Sequence, residues 1–498
     1  MLFNTAEYIL FFLIAVFIYF IIPGKLRGLW LLVSSCWFYA NWNRTYLLLL
    51  LFTAAVSYLT GAFLAKMKDA GRRRAVLTAG ILLQLLLLIY FKYTMFLLQA
   101  GGHLLRVFHA SVPQEGFAFA SGILLPVGIS FFTFKSLSYM IDVYRGTIEA
   151  ERSPLVYGLY IAFFPQLAAG PIDRPADLIP QLKNLAVLGR PDHERITGGM
   201  TIMLWGFFMK MVIADRIAIF ADTVFDSYFL YGTAQLLTAA IAYAIQIYCD
   251  FAGYSLISIG TARVLGITVK DNFTAPYMAM SVREFWRRWH ISLSSWFRDY
   301  VYIPLGGSRC SRLRKWLNIM ITMSVSGLWH GAGGRFILWG ALHGIYQILE
   351  DILARPLSGF LERIHAKTAS FSYRFGKRLL TFAAVDLAWI FFRCSSFKDA
   401  LLYIYRMFTG FRPAAFIDGS LYDLGLSVQE FHILLCALAL LAVVDHKQYT
   451  QGRRIDALAA SQSLWFRWLF LIGLFTAVWV FGIYGPAFSG SAFIYLQF

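Results

Sequence analysis

Residues 75–99 read "AVLTAGILLQLLLLIYFKYTMFLLQ", with a single charged side chain, Lys92. An α-helix crosses a bilayer in roughly 17–25 mostly apolar residues, so this stretch is long enough to span a membrane. Further apolar windows recur at 7–23, 46–65, 235–260, 382–392, 431–444 and 464–484. The windows at 382–392 and 431–444 are short and need extension at their ends. The pattern predicts an all-α, polytopic integral membrane protein with roughly 10–12 crossings, weaker stretches included.

The composition also indicates a membrane protein. Hydrophobic residues make up 59% of the chain and charged residues 14%, whereas a soluble domain carries about 25% charged residues. The net charge of +17 does not indicate nucleic-acid binding, because the basic residues gather in short loops at 66–74, 363–378 and 447–454. Such loops normally remain cytoplasmic. The five cysteines form no CxxC pair, so neither a disulfide framework nor a metal site is predicted.

The chain is predicted to form one membrane domain, residues 1–498. It has no evident soluble domain and no internal repeat, which weighs against the inverted-repeat plan of many transporters. Between 246 and 344, polar and charged residues repeatedly interrupt apolar sequence. Ionisable residues at membrane depth usually face a protein interior or a hydrated cavity, and they are functional by default. We therefore expect a catalytic core at about 120–350, with peripheral helices at 1–119 and 355–498.

The first candidate segment is "SVREFWRRWHISLSSWFRDY" at 281–300. Ser281 and Glu284 have the spacing of a capping box, which predicts one helix that continues to the proline and glycines of "IPLGG". His290 falls on an aromatic and apolar face of that helix and fits either a catalytic or an orienting, hydrogen-bonded role. Arg287 fits an interfacial helix with arginines on lipid phosphate as well as a site for an anionic cosubstrate.

The second candidate segment is "SGLWHGAGGRFILWGALHG" at 326–344, where two histidines and an arginine lie among tryptophans and leucines. His330 ends an apolar run and precedes three glycines, which permit close backbone approach. The glycines fit the floor of a cavity or a helix–helix packing site. His343 is expected to be structural.

Other ionisable residues in apolar sequence are Asp250, Asp386 and Asp445. None has an obvious partner nearby in the sequence, and each is expected to be a hydrogen-bonded structural carboxylate, because a buried polar group needs a partner. The chain has no HExxH motif, nucleophile elbow or nucleotide-binding loop.

Several ordered motifs together resemble one family. "REFWRRWHISLSSWFRDYVYIPLGG" is followed by "GLWHGAG", whose histidine comes forty residues after the first, and then by "LWGALHG". Other matching blocks are "LPVGISFFTFKSLSYMIDVYRG" at 125–146, "FFPQLAAGPIDRP" at 163–175 and "LWGFFMKMVIADRIA" at 204–218. The set resembles the membrane-bound O-acyltransferases, in the bacterial branch that O-acetylates alginate and, more distantly, the branch that D-alanylates teichoic acid.

The resemblance implies a ring of tilted transmembrane helices around a central tunnel, with re-entrant and interfacial helices, in the bacterial inner membrane. It implies that His330 is the general base and that His290 orients the substrate or helps to stabilise the oxyanion. The residues expected to bind substrate are Trp329, Arg298, Asp299, Arg287 and Asn272. In one departure from the family pattern, the "WHGAG" motif continues with Gly334 and Arg335. This extra cation would lower the proton affinity of His330 or contact an anionic donor.

The implied reaction carries an acyl group, expected to be acetyl, from a cytoplasmic thioester such as acetyl-CoA to hydroxyls of an exported polysaccharide. No bound cofactor or metal is expected. The implied partners are membrane lipids, an extracytoplasmic SGNH-type esterase-like protein or a small membrane protein, and a polysaccharide synthase complex, without nucleic acid. The tail "FIYLQF" at 493–498 is a candidate docking segment.

Two alternatives remain open at the level of sequence. One is a D-alanyl or lipid O-acyltransferase of the same family, since no residue identifies the acyl group directly. The other is a transporter of a polysaccharide or lipid intermediate. Dependence on a thioester donor distinguishes the transporter from an acyltransferase.

Overall fold

The computed structural model describes residues 1–107, 122, 124–167, 170–188, 190–409 and 413–484. The proposed docking tail at 493–498 lies outside these residues. Within them the regular structure is helical throughout, which confirms the predicted all-α class.

The α-helices of the first part of the chain are α1 (Ala6–Ile21), α2 (Arg27–Ala40), α3 (Arg44–Lys66), α4 (Ala70–Leu88), α5 (Thr94–Val107), α6 (Ile129–Arg145), α7 (Pro154–Ala162), α8 (Phe164–Leu167), α9 (Pro175–Lys183), α10 (Leu185–Leu188) and α11 (His193–Phe207). Those that follow are α12 (Asp215–Asp226), α13 (Thr233–Val264), α14 (Val282–Arg288), α15 (Ile291–Phe297), α16 (Arg312–His330), α17 (Gly334–Arg363), α18 (Phe371–Arg393), α19 (Phe397–Phe408), α20 (Val428–Gln451), α21 (Ile455–Ala460) and α22 (Leu464–Phe481). Turns of π-helix lie at Ile89–Tyr93, Phe208–Ala214 and Arg298–Tyr302.

Every apolar window that the sequence singled out lies largely on helix in the structure, with residues 22–23 and 482–484 beyond the ends of α1 and α22. The two short windows extend as expected, into α18 and α20. Among the described residues, five helical segments are long and apolar enough to cross a membrane: Arg44–Lys66, Ala70–Gly102, Thr233–Val264, Val428–Gln451 and Leu464–Phe481. The larger number of crossings stays a prediction.

The chain divides into two compact units. One comprises residues 1–203 and 257–270, and the other comprises 204–256 and 271–498. Both candidate histidine segments belong to the second unit. The prediction of a single membrane domain with a core at 120–350 remains a prediction.

The helix α22 shows what surrounds the protein. Only Leu474 of its side chains is buried, whereas large apolar residues such as Trp465, Trp468 and Trp479 are more than half exposed. An apolar surface of this extent marks a membrane or protein contact. It agrees with a helix that faces lipid.

Polar groups are buried inside the second unit. The Lys210 ammonium, on the π-turn before α12, lies 2.7 Å from Asp215 and 2.6 Å from Asp250, and all three side chains are at most 5% exposed. Asp445 accepts a hydrogen bond from the Tyr248 hydroxyl at 3.0 Å. The partners expected for Asp250 and Asp445 therefore exist, but they lie far away in sequence.

Candidate active site

The segment around His290 forms two short helices. α14 ends at Arg288 and α15 begins at Ile291, and between them His290 has φ of 43°. A left-handed conformation is uncommon for a residue with a Cβ atom and does not continue a right-handed helix. The prediction of one continuous helix is therefore wrong, and so is the shared helical face assigned to His290.

The start of α14 agrees with the capping pattern in part. Ser281 Oγ accepts a hydrogen bond from the Glu284 N–H at 3.0 Å. The Glu284 carboxylate accepts one from the Met280 N–H at 2.9 Å and pairs with Arg288, also at 2.9 Å. Glu284 thus connects the start of α14 to Arg288, the last residue of that helix. The backbone donor that it binds, however, belongs to Met280 and not to Ser281, as a capping box would require.

Asn272 fixes the ring of His290. Its backbone carbonyl accepts from the Ile291 N–H at 2.9 Å. Its side-chain oxygen accepts from the Ser292 N–H at 3.2 Å and from the Ser292 hydroxyl at 2.9 Å, and it lies 3.1 Å from His290 Nδ1. The backbone donor requires an oxygen at this position of the amide, so His290 Nδ1 carries the hydrogen. The lone pair of the neutral imidazole is therefore on Nε2.

His330 is the last residue of α16, at the turn into α17. The two helices approach closely: a Cβ atom on Gly327 would lie 2.0 Å from the Phe336 carbonyl oxygen, and one on Gly340 would lie 2.1 Å from that of Met323. Small residues permit such contacts between transmembrane helices. Gly327 and Gly340 therefore serve helix packing, and the packing positions His330. The choice between a cavity floor and a packing site for the three glycines after His330 stays a prediction.

The structure brings the two candidate histidines together. The ring centroids of His290 and His330 are 6.5 Å apart, and the residues are 0% and 2% exposed. Trp339 lies 5.0 Å from His330, and Phe251 lies 4.6 Å from His290, as measured between ring centroids. The imidazoles thus share an aromatic enclosure, where hydrogen bonds are stronger than in water.

The predicted substrate-binding residues separate into two groups. Trp329 is buried, with its ring 4.9 Å from that of His330 and 6.0 Å from that of His290, and Asn272 holds His290 as described. Arg287 is exposed. Arg298 is 63% exposed and pairs with Asp299 at 2.7 Å. Three of the five residues therefore lie outside the buried cluster, on surface that a charged ligand or lipid headgroup can reach.

Arg335 and His343 both lie on α17. The Arg335 guanidinium donates to the carbonyl of Cys394, just beyond the end of α18, and lies 4.6 Å from the ring centroid of Phe336. Cations are favourable at helix C-termini, so one role of Arg335 is to cap α18. The fully buried His343 ring lies 5.0 Å from Trp339 and 5.1 Å from Trp286. Its surroundings agree with a structural role.

Part of the enclosure was not predicted from the sequence. Trp339 lies within the second candidate segment but was not singled out. Phe392, 5.7 Å from His330, comes from α18. Nothing in the sequence near His330 indicates that partner. Among the residues that the structure describes, no group of three or more His, Cys, Asp or Glu is arranged to hold a metal ion.

Comparisons with known proteins give related results. The model of the membrane-bound O-acyltransferase family matches residues 38–397. A protein named probable alginate O-acetylase AlgI, from Pseudomonas syringae pv. tomato, is 35% identical over 467 residues, which are 92% of this chain and 84% of that protein. The peptidoglycan O-acetyltransferase of Helicobacter pylori is 34% identical over 436 residues, 80% and 78% of the two chains. The teichoic acid D-alanyltransferase of Bacillus subtilis is 28% identical over 237 residues, 44% and 57%.

Proposed function

Since the chain belongs to the membrane-bound O-acyltransferase family, we propose that it moves an acetyl group from a cytoplasmic thioester towards hydroxyls of an exported polysaccharide. That it is a multi-pass membrane O-acyltransferase follows from the family, the relatives and the apolar helices. The observation that supports the chemistry is the buried histidine pair, with ring centroids 6.5 Å apart. At this separation both rings can contact one bound acceptor molecule, with its reacting hydroxyl at His330 and a neighbouring group at His290.

His330 acts as the general base in this proposal. A hydroxyl does not ionise unaided near neutral pH, and an imidazole, with an ordinary pKa near 6.5, is suited to accept its proton. As the acceptor oxygen attacks the thioester carbonyl carbon, its proton passes to His330. The tetrahedral intermediate then collapses, the carbon–sulfur bond breaks, and His330 returns the proton to the thiolate. The transfer is direct, with no covalent acyl-enzyme.

His290 orients the acceptor. Its Nε2 lone pair accepts a hydrogen bond. Because the single proton of the reacting hydroxyl goes to His330, His290 would accept from a neighbouring O–H or N–H group of the acceptor. An oxyanion needs a donor, so the tautomer fixed by Asn272 favours the orienting role. The left-handed backbone at His290 supports this assignment, because such strain gathers at functional sites. Of the two roles first considered for His290, the proposal keeps the orientation of substrate.

The donor and its direction are further parts of the proposal. Both O-acetyl relatives favour acetyl as the acyl group, and acetyl-CoA is its common activated form. Its phosphates would meet Arg287 and Arg298, which the structure exposes. The basic loops indicate the cytoplasmic side, so the acetyl group would travel outward through the tunnel that the family implies. An SGNH-type protein outside the inner membrane would complete transfer to the polymer.

The test uses inverted membrane vesicles, which present the cytoplasmic face outward. Acetyl-CoA labelled in the acetyl group is added outside, and label on lumenal polymer or partner protein is measured. We expect donor-dependent label, and none from a D-alanyl carrier thioester. Label from the D-alanyl donor alone would replace acetyl by D-alanyl, and polymer uptake without label would support the transporter instead.

Asn272→Ala should lower the transfer rate about 10-fold or more, because it frees the ring of His290 and removes the preference for one tautomer; a single lost orienting hydrogen bond is worth about 1.5 kcal/mol when buried. Asn318→Ala is the matched control, since Asn318 is also fully buried and donates to the Gly307 carbonyl at 3.1 Å. Rates are compared per folded molecule in the vesicle assay. Equal effects of the two substitutions would contradict the orienting role of Asn272.

A further inference from the structure

Trp339 has a buried indole N–H, and its ring packs against the ring of the proposed base. The residue lies on α17 and is 0% exposed. Its ring stands at 87° to the ring of His330, with centroids 5.0 Å apart. Within the described parts of the chain, its Nε1 has no hydrogen-bond acceptor. A buried donor without an acceptor is destabilising, and such a group in a native fold calls for an explanation.

The proposed reaction has a need that this donor meets. Attack on the thioester turns the carbonyl oxygen into an oxyanion, and a preorganised donor at that position is usually a large contribution to catalysis. The Nε2 of His290 accepts rather than donates in the tautomer described above. Asn272 contacts the opposite, Nδ1 edge of that ring. Neither group therefore supplies the donor on the side of His330.

We propose that the Trp339 indole N–H donates a hydrogen bond to the oxyanion of the tetrahedral intermediate, which makes Trp339 a further catalytic residue. The inference rests on the acyl transfer proposed above. In that step the acceptor oxygen bonds to the thioester carbon, its proton goes to His330, and the carbonyl π electrons move onto the oxygen that Trp339 faces. When the carbonyl re-forms, the thiolate leaves and takes the proton from His330.

The surrounding rings hold the indole in place. His343 contacts Trp339 with centroids 5.0 Å apart, and Trp389 stacks on it at 5.4 Å with 26° between the planes. Trp286 lies 5.7 Å away. A donor held by such packing does not have to reorganise during the reaction, which is the condition for effective electrostatic catalysis. The buried His343 thereby gains a role as support for Trp339.

The experiment compares Trp339→Phe with the wild type. The substitution keeps an aromatic ring in the enclosure and removes the N–H. Initial rates in the vesicle assay, against acetyl-CoA concentration, should show kcat reduced by about 10²–10³-fold, the usual effect of losing one oxyanion donor, with KM for acetyl-CoA changed by less than about threefold. Trp286→Phe is the control, because the same change is made in a buried neighbour of Trp339 and His343.

A second donor separates catalysis from packing. Fluorine on the acetyl group makes the carbonyl more electrophilic and stabilises the oxyanion, so fluoroacetyl-CoA should reduce the defect of Trp339→Phe by about 10-fold or more. Wild-type kcat in Trp339→Phe would overturn the inference and leave the proposed function intact. So would equal losses in both Trp variants that fluoroacetyl-CoA does not change. Absence of thioester-dependent transfer by the wild type would overturn the proposed function itself.

Discussion

His330→Ala should lower acetyl transfer by about 10²–10⁴-fold, the typical contribution of a general base. The side chain is 2% exposed and sits at the tightly packed turn between α16 and α17, so its place relative to the reacting atoms is fixed. The measurement is the initial rate of labelled acetyl transfer in inverted vesicles, normalised to the amount of protein in the membrane.

His432→Ala is the control for that experiment. His432 lies on α20 and is exposed, so its loss should leave both the rate and the protein level near those of the wild type. If His330→Ala retained the wild-type rate at a normal protein level, His330 would not be the base. A loss of activity matched by an equal loss of protein would reduce His330 to a packing role.

Lys210→Met should produce the largest loss of stability. Lys210 forms ion pairs with two carboxylates, Asp215 and Asp250, within 2.7 Å in a region where all three side chains are at most 5% exposed. Removing one partner of a buried ion pair leaves uncompensated charge and lowers the free energy of unfolding by about 3–5 kcal/mol. We expect a much lower Tm in detergent and little protein in the membrane.

Lys270→Met is the control for this prediction, because it removes an ion pair that is exposed to solvent. Lys270 and its partner Asp177 are 63% and 40% exposed, and an exposed pair contributes about 0–1 kcal/mol. Its Tm should remain close to that of the wild type. A Lys210→Met protein as stable as Lys270→Met would show that the buried carboxylates are neutral or solvated and do not depend on the lysine. Asp250→Asn in the Lys210→Met background should recover part of the lost stability.

The membrane helices could be predicted because their cause is local. Helical structure satisfies the backbone hydrogen bonds of each apolar window locally, as the bilayer requires, and each predicted window lies largely on helix. The family could be read for a similar reason, since its motifs are contiguous, and the match over 38–397 confirms it.

The break in the helix at His290 could not be predicted from the local sequence. Ser281 and Glu284 specify the start of a helix, and the following residues have ordinary helical character. α14 ends because of Asn272, whose oxygen atoms accept hydrogen bonds from the backbone N–H groups of Ile291 and Ser292. A tertiary contact from 18 residues upstream thus overrides the local pattern.

Long-range pairing also accounts for the buried ion pairs of Lys210 and for the part of the candidate site that the sequence did not predict. Lys210 and Asp250 are 40 positions apart, and Phe392 meets His330 from a different helix. Two arginines that were expected to bind substrate lie outside the buried histidine cluster. Arg287 and Arg298 are exposed in the structure, and composition does not report whether a side chain is buried or exposed.

Polymer-bound acetyl in living cells tests the central claim most directly. A strain that lacks the gene is complemented with the wild type or with His330→Ala, and acetyl per sugar, exported polymer and membrane protein level are measured together. Acyl transfer predicts that wild type restores acetyl, that His330→Ala does not, and that export of the polymer is equal in both. Loss of the exported polymer itself, with normal acetylation of the residual chains, would contradict acyl transfer and favour a transporter.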